Sequence, residues 1–248
     1  MISVIIPTHN RYRQLIQAVK SVKEQKYKNV EIIIVDDCST DETALISAET
    51  GTDFENCNII HLKENSRVRF GYPCAGYVRN IGASAAKGQF LAFLDDDDIW
   101  LPCKLSKQIY VIEKYDAYMS CTDGYIGKTP TCELNASELE ECEVYNEEHY
   151  FNEICNIYER AGKTLFVNKE DGFSLFWKKE MIDIHNCIIT SSVLIDRELF
   201  LHLKGFMHFK NGEEDWDLWK RALEYTDCVY INMPCFYYYY NNYYYKHI

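Results

Sequence analysis

The chain carries no glycine-rich phosphate loop. No G-x-G-x-x-G opens any of its strand-to-helix turns, which removes a dinucleotide oxidoreductase. The first apolar run ends in Pro7-Thr8-His9-Asn10, without the Gly, Arg and Lys of a nucleotidyltransferase. That position also lacks the Asp-x-Asp that a phosphohydrolase with an aspartate nucleophile needs. Basic residues are scarce: 26 Lys and Arg face 38 Asp and Glu, a formal net charge of -12. With no basic stripe to offset the acid, a general nucleic-acid binder is excluded. A nucleotide is not excluded, because one metal and one Arg can hold a diphosphate. No apolar run is long enough to span a bilayer, and no charged-then-apolar leader follows Met1. The 11 cysteines include no C-x-x-C pair and are odd in number, so they read as reduced thiols, several of them buried. The expectation is a soluble globular protein of the cytoplasm (the host cytoplasm if the source is viral), in which the Asn135-Ala136-Ser137 sequon carries no weight. With no internal repeat and no Pro/Gly/Ser linker, residues 1–248 are expected to form one domain.

What the chain does have is concentrated acid. Phe90-Leu91-Ala92-Phe93-Leu94 reads as a buried strand that delivers Asp95-Asp96-Asp97-Asp98 at its end. Four adjacent carboxylates there are costly unless a cation or a set of donors compensates them. Magnesium and manganese take such oxygen ligands, above all where substrate phosphates complete the shell. The tetrad therefore points to a divalent metal site that holds a phosphorylated ligand. The plainer alternative is an acidic, solvated turn capping the next helix.

The first hundred residues alternate apolar runs with helical patterns, the mark of βαβ units and a mainly parallel sheet. Strands are expected at Ser3 to Ile6, Glu31 to Val35, Asn58 to Leu62 and Phe90 to Leu94. Leu15, Val19 and Val22 share one helix face, and Ser39 with Glu42 makes a capping box that starts another helix. A small-residue helix follows from about Gly76 to Lys87, closed by Gly88. Open parallel sheets bind ligands at the carboxyl ends of their strands, which sets Thr8, Asp37 and Asp95 to Asp97 around one crevice. The second half is less regular. Ala117 to Cys121 and Cys187 to Ile195 look like strands, separated by an irregular stretch, Pro130 to Asn156, of the kind that forms binding loops or lids. Helices are expected from about Asp196 and from Glu214 to Tyr225, with a last strand at Cys228 to Ile231. The tail from Phe236 to Tyr245 is almost all tyrosine.

Taken together these segments resemble a known family. Val4-Ile5-Ile6-Pro7-Thr8-His9-Asn10-Arg11 and Ile34-Val35-Asp36-Asp37-Cys38-Ser39-Thr40-Asp41-Glu42-Thr43 look like the opening of the inverting glycosyltransferase family 2. Val78-Arg79-Asn80-Ile81-Gly82, the Asp tetrad and Glu214-Asp215-Trp216-Asp217-Leu218-Trp219 are similar to its later motifs, in the right order. The likeness runs from Met1 to about Tyr225, loosely between Tyr125 and Ile184. It implies an α/β GT-A fold, a Rossmann-like, mainly parallel central sheet flanked by helices with an irregular acceptor-side region. It also implies a nucleotide-sugar donor, a divalent metal, and inversion at the anomeric carbon. Residues 1–104 would form the nucleotide-sugar half, and residues 105–248 the half that binds the acceptor and carries the base.

The resemblance assigns roles. Asp37 would contact the donor's uracil, while Asp36 fits a helix-capping role better. Pro7, Thr8 and His9 would close the same pocket, although His9 is as readily a packing residue. Arg79, on a helix of small residues, would bring a planar cation to the base or diphosphate; the alternative is a surface salt bridge. Asp95 and Asp97 map onto the family's Asp-x-Asp, with Asp97 the direct ligand of Mn2+ or Mg2+. Asp95 or Asp96 would bind the ribose or the metal's water shell, and Asp98 would cap a helix near Pro102. Asp215 would be the general base, taking the proton from the acceptor hydroxyl on the face opposite the leaving group. The alternative for Glu213-Glu214-Asp215 is an acidic first helical turn. His185 and His247 are candidate third metal ligands. The expected donor is a UDP-sugar of unspecified sugar, and the acceptor a glycan, a lipid-linked glycan or a protein; a homodimer remains open. The competing class is a sugar-binding scaffold that keeps the fold without turnover, although Asp37, Asp97 and Asp215 are all present.

Overall fold

Apolar side chains on both faces make Ile2–Thr8 (β1) a central strand. Ile2, Val4 and Ile6 pack into one hydrophobic cluster, and Ile5 into the cluster on the other face. The same alternation holds in Val30–Asp36 (β2), where Ile32 and Ile34 oppose Ile33 and Val35. It recurs in Phe90–Phe93 (β4), where Ala92 opposes Leu91 and Phe93. With Cys57–His61 (β3), these strands form a parallel array. The computed structural model describes residues 1–49, 52–135, 139, 141–146, 150–163, 166–168 and 172–240.

Beyond β4 the sheet turns mixed. Its remaining strands are Ile99–Trp100 (β5), Met119–Gly127 (β6), Glu143–Val144 (β7), Phe176–Trp177 (β10), Leu194–Asp196 (β11) and Cys228–Tyr239 (β12). Val167–Asn168 (β8) and Gly172–Phe173 (β9) pair apart from it. The main order is β10-β12-β6-β11-β4-β1-β2-β3, with β5 on β12 and β7 on β6. β11 lies antiparallel to both β4 and β6, while β6 and β12 run parallel. The chain runs from β1 outward to β3, then crosses back to place β4 on the other side of β1. That reversal makes a switch point between β1 and β4, where the crevice opens at the strands' carboxyl ends.

Tyr12–Lys23 (α1) and Lys104–Tyr115 (α4) cover one face of the sheet through Leu15, Val19, Leu105 and Ile112. Ala75–Ala85 (α3), following the short helix Ser66–Phe70 (α2), covers the other face with Val78 and Ala83. Its small residues allow close approach. A Cβ on Gly82 would lie 2.5 Å from Ile5 Cγ2, and one on Gly76 only 3.0 Å from Glu214 Cγ.

Several local expectations give way to longer-range partners. Ser39 does not cap a helix: its Oγ accepts from the Asn10 N–H at 2.9 Å, and Asp41 instead caps a short 3-10 turn, Glu42–Leu45. Gly88 does not close α3, which ends at Ala85; its N–H donates to Ser3 Oγ at 2.8 Å. Cys187 to Ile195 is strand only from Leu194, in Leu194–Asp196, because Thr190–Ser192 forms a buried 3-10 turn whose Thr190 and Ser191 hydroxyls donate to Asp215 and Asp98. The last strand runs through to Tyr239, so Phe236 and Tyr237 of the tyrosine tail are core residues. The helix expected from Asp196 forms at Arg197–His202, with the Asp196 carboxylate accepting from the Leu199 N–H at 2.9 Å. The irregular stretch contains β7 and runs into the helix Phe151–Arg160; the sequon's Ala136 and Ser137 lie outside the described residues.

Candidate active site

Three strand ends deliver the residues of the crevice. Thr8 ends β1, and its Oγ1 donates to Asp96 Oδ2 at 2.7 Å. Arg11, at the start of α1, places Nη1 2.9 Å from Asp96 Oδ1 and 2.5 Å from Asp97 Oδ2. The tetrad thus splits in two. Side chains of Asp95 and Asp97 are 29% and 23% exposed toward solvent, whereas that of Asp96 is only 7% exposed. Asp98 is fully buried; it accepts from Ser191 Oγ at 2.5 Å and from the Tyr239 N–H at 3.1 Å. It therefore joins the tetrad to the Thr190–Ser192 turn and β12 and does not cap α4, which starts at Lys104 with no side-chain cap. Burial, then the neighbouring Asp96 carboxylate, pushes Asp97 up to about 7, with Arg11 opposing the rise.

At the end of β2 the two aspartates diverge. Asp36 accepts from the Ser39 N–H at 3.0 Å and pairs with His61 Nδ1 at 2.8 Å, a structural role. Asp37 accepts from the Ser66 N–H at 2.7 Å, from Ser66 Oγ at 2.6 Å and from Asn65 Nδ2 at 3.2 Å. Burial raises its pKa, and the Ser66 bonds act against that rise. His9 is exposed beside it, with Nδ1 3.3 Å from Asn65 Nδ2. Pro7 lies within β1 opposite Val35.

Arg79 binds the two halves of the site together. Its Nη2 donates to Asp95 Oδ1 at 2.5 Å, its Nη1 lies 3.5 Å from Glu214 Oε1, and its guanidinium sits 5.5 Å above the Phe206 ring. Burial works against its charge, but Asp95, Glu214 and Asp215 outweigh that and raise its pKa. Far from a surface salt bridge, Arg79 is a buried cation. Asp215 stands in the first turn of the helix Glu214–Ala222, where Oδ2 accepts from Thr190 Oγ1 at 3.3 Å and Oδ1 from Asn186 Nδ2 at 3.4 Å. Burial and the Glu214 charge push Asp215 up to about 6, against the pull of Arg79.

Among the described residues, no group of three or more His, Cys, Asp or Glu side chains converges to hold a metal by itself. Magnesium-type sites do not require one: one or two carboxylates suffice where substrate phosphates supply the remaining oxygens. The open pair Asp95 and Asp97 fits that donor set. His185 is not with them; it lines a cavity beside Tyr145 and Tyr150. His247 lies outside the described residues.

The sequence model described as Glycosyl transferase family 2 matches residues 3–172. The chain belongs to glycosyltransferase family 2. A UDP-Glc:alpha-D-GlcNAc-diphosphoundecaprenol beta-1,3-glucosyltransferase of Escherichia coli, WfaP, is 37% identical over 130 residues, covering 52% of this chain and 47% of that protein. An uncharacterized glycosyltransferase of Rickettsia typhi is 33% identical over 239 residues, 93% of this chain and 61% of that protein. The chain spans about half the length of the first curated relatives it matches. In fold it is similar to residues 1–349 of S. aureus TarS in complex with UDP-GlcNAc, with a TM-score of 0.65 and 18% identity over 96% of this chain and 58% of that one. A Pyrobaculum calidifontis mannosyltransferase in complex with GDP-Man and Mn2+ gives a TM-score of 0.61 at 16% identity, covering 97% of this chain and 57% of that one. These likenesses show the GT-A fold.

Sequence reasoning missed Arg11, Asn65, Ser66, Thr190 and Ser191, which hold the named aspartates. Arg11 alone carried a signal: a cation three residues beyond the end of β1, over the carboxyl-end crevice.

Proposed function

We propose that this chain transfers a sugar from a UDP-sugar to a hydroxyl of a lipid-linked glycan, with inversion at the anomeric carbon. The observation that carries the reading is the Arg79 bridge, which sets Asp95 at 2.5 Å and Glu214 at 3.5 Å from one guanidinium. It links the open carboxylates of the tetrad to the first turn of the helix that carries Asp215, the proposed base, which burial raises to about 6.

Each group then has a task. A carboxylate offers roughly four lone-pair sites. Ser66 and Asn65 use three on Asp37, one of them on Oδ1, which leaves Oδ1 able to accept from a base N–H. Pro7 and Thr8 at the end of β1, with His9 just beyond it, would border that position. Asp95 and Asp97 would hold Mn2+ or Mg2+, which when bound supplies Lewis-acid neutralisation of charge on the departing diphosphate. Asp96 is held by Thr8 and Arg11 and keeps the metal pair in place. Asp215 accepts the acceptor hydroxyl's proton at a carboxylate oxygen as the hydroxyl oxygen attacks the anomeric carbon and the bond from that carbon to the diphosphate breaks on the opposite face, releasing UDP. The uridine donor is supported by Asp37 and by the family relative WfaP, named for a UDP-Glc donor and a diphosphoundecaprenol-linked GlcNAc acceptor.

The test is thermal shift and donor hydrolysis with a panel of UDP- and GDP-sugars in Mn2+, Mg2+ or EDTA. The wild type should be stabilised by a UDP-sugar with metal and not in EDTA; Asp97→Ala should lose that response. Asp215→Asn should keep the shift and lose turnover. Absence of any nucleotide-sugar response in the wild type would leave the non-catalytic scaffold as the better account.

A further inference from the structure

Two segments far apart in the chain alternate apolar and basic side chains. One is Arg67-Val68-Arg69-Phe70 in α2, and the other is Met207-His208-Phe209-Lys210, ahead of the helix Glu214–Ala222. The fold brings them together. The His208 ring centroid lies 4.8 Å from that of Phe70 and 5.9 Å from that of Tyr77, and Phe70 meets Tyr77 edge-on at 5.1 Å. The Arg69 guanidinium lies over the same two rings, 5.8 Å from the Phe70 centroid and 5.4 Å from that of Tyr77.

Around this aromatic cluster the apolar side chains face water. Val68 is 72% exposed, Met207 39% and Phe209 38%, and Arg67, Arg69, His208 and Lys210 are exposed along with them. Single apolar residues on a surface are ordinary, but three interleaved with basic residues about one cluster are not. The local charge also runs against that of the molecule. From Asn65 to Tyr72 and from Phe206 to Gly212 every Asp, Glu, Lys or Arg is a cation, in a chain of net charge -12. Acids flank both segments. Glu213 follows the second, and Glu64 Oε2 lies 3.9 Å from Arg69 Nη1, with both side chains about half exposed, a pairing worth little in water.

We infer that this surface docks the protein on an anionic lipid bilayer. Val68, Met207 and Phe209 would enter the boundary between headgroups and acyl chains, while Arg67, Arg69 and Lys210 stay at the lipid phosphates. The acidic remainder of the protein is repelled by such a bilayer, but at physiological salt that repulsion fades over about 8 Å. Contact is therefore decided by the local cations, each worth about fivefold in binding to an anionic surface. The same repulsion orients the molecule, because it disfavours approach by the acidic faces. Cations alone would equally suit an acidic protein; the exposed apolar side chains between them favour the bilayer, whose boundary accepts both kinds without a matching surface. The patch also borders the crevice. Ser66, next to Arg67, donates to Asp37, and Asp215 follows Lys210 by five residues. Docking would bring the crevice to the headgroup layer. The inference goes beyond the transferase reading and does not require turnover.

The experiment is co-sedimentation with phosphatidylcholine vesicles, with and without phosphatidylglycerol, at low and at physiological salt. The wild type should bind the phosphatidylglycerol vesicles, more weakly as salt rises, and leave the neutral ones unbound. Arg67→Gln with Arg69→Gln should weaken that binding at least tenfold. Val68→Ser with Phe209→Ser should weaken it too, at unchanged charge. Lys20→Gln with Lys87→Gln removes the same charge from exposed positions elsewhere and should have no such effect. The inference is overturned if the wild type binds no vesicles, if either patch variant binds like the wild type, or if the Lys20 and Lys87 variant loses as much as the arginine one. A dimer that the Val68 and Phe209 variant dissociates would also overturn it, since the surface would then join two copies. UDP binding and thermal midpoint are read on the same samples. Their retention shows that the variants fold, and a wild type that binds vesicles but no UDP would sink the transferase reading alone.

Discussion

Asp215 is suited to its task by its surroundings. Held at about 6 by burial and Glu214, it is ionised at neutral pH yet basic enough to take a proton from a hydroxyl. If it is the base, log kcat/KM for transfer should be level near pH 7.5 and fall with unit slope below about pH 6. Asp215→Asn should remove that limb and lower transfer by about 10²–10⁴-fold, the usual value of general-base assistance. A profile level down to pH 5 would remove Asp215 from the role. The residues legible in the sequence were those whose chemistry shows in their own type: stacked aspartates, a lone Arg among small residues, an acid at a helix start. Their partners were not legible, because contact is made across the chain. Arg11 reaches Asp97 over 86 positions and Ser191 reaches Asp98 over 93, and serines announce nothing about which carboxylate they will meet.

Elements divide along the same line. β1, β2 and β4 were readable because strands buried on both faces must be apolar throughout, and few other segments of that length are. The antiparallel half hid itself in β5, β7, β10 and β11, two or three residues each, too short to show a period. The Thr190–Ser192 turn misled because a buried run of hydroxyls has no hydrophobic pattern at all. The small residues of α3 were legible as a tight packing face, and the geometry gives this a sharp test. A Cβ at Gly82 meets Ile5 Cγ2 at 2.5 Å and Val35 Cγ2 at 3.1 Å, both on stiff β-branched side chains. Gly82→Ala should therefore destabilise the fold by about 1–3 kcal/mol as overpacking, despite the better helix propensity of alanine. Urea denaturation measures it; a neutral or stabilising result would mean that α3 does not lie this close to the sheet. Because α3 also carries Arg79, the same substitution should weaken UDP-sugar binding.

Across the whole molecule, acid gathered at the crevice couples stability to pH. Asp97 is pushed up to about 7 and Asp215 to about 6, first by burial, and burial also raises Asp96 and Asp98. The unfolded chain releases these protons near the ordinary aspartate value of 3.8, while the folded chain still holds them. Between about pH 4 and 7 the native state thus binds more protons, and stability falls as pH rises through that window. Above pH 7 the sign reverses. Buried Lys104 is lowered to about 7 from 10.5, so the unfolded chain now holds the extra proton and stability recovers with rising pH. Beyond about pH 9 buried thiols reverse it again, since Cys57 is raised to about 11 and Cys187 and Cys235 to about 12. The ligand-free protein should therefore show a shallow stability minimum near neutrality. Calorimetry at pH 5.5, 7.2 and 8.5 should find the lowest thermal midpoint at 7.2, by several degrees given that ~1 kcal/mol moves Tm by ~2–4 °C at this size. A midpoint rising steadily from 5.5 to 8.5 would show that the tetrad is not held as described. Mn2+ with UDP should raise the midpoint least at pH 5.5, where protons compete with the cation for Asp97, and more at 7.2 and 8.5 as that carboxylate ionises.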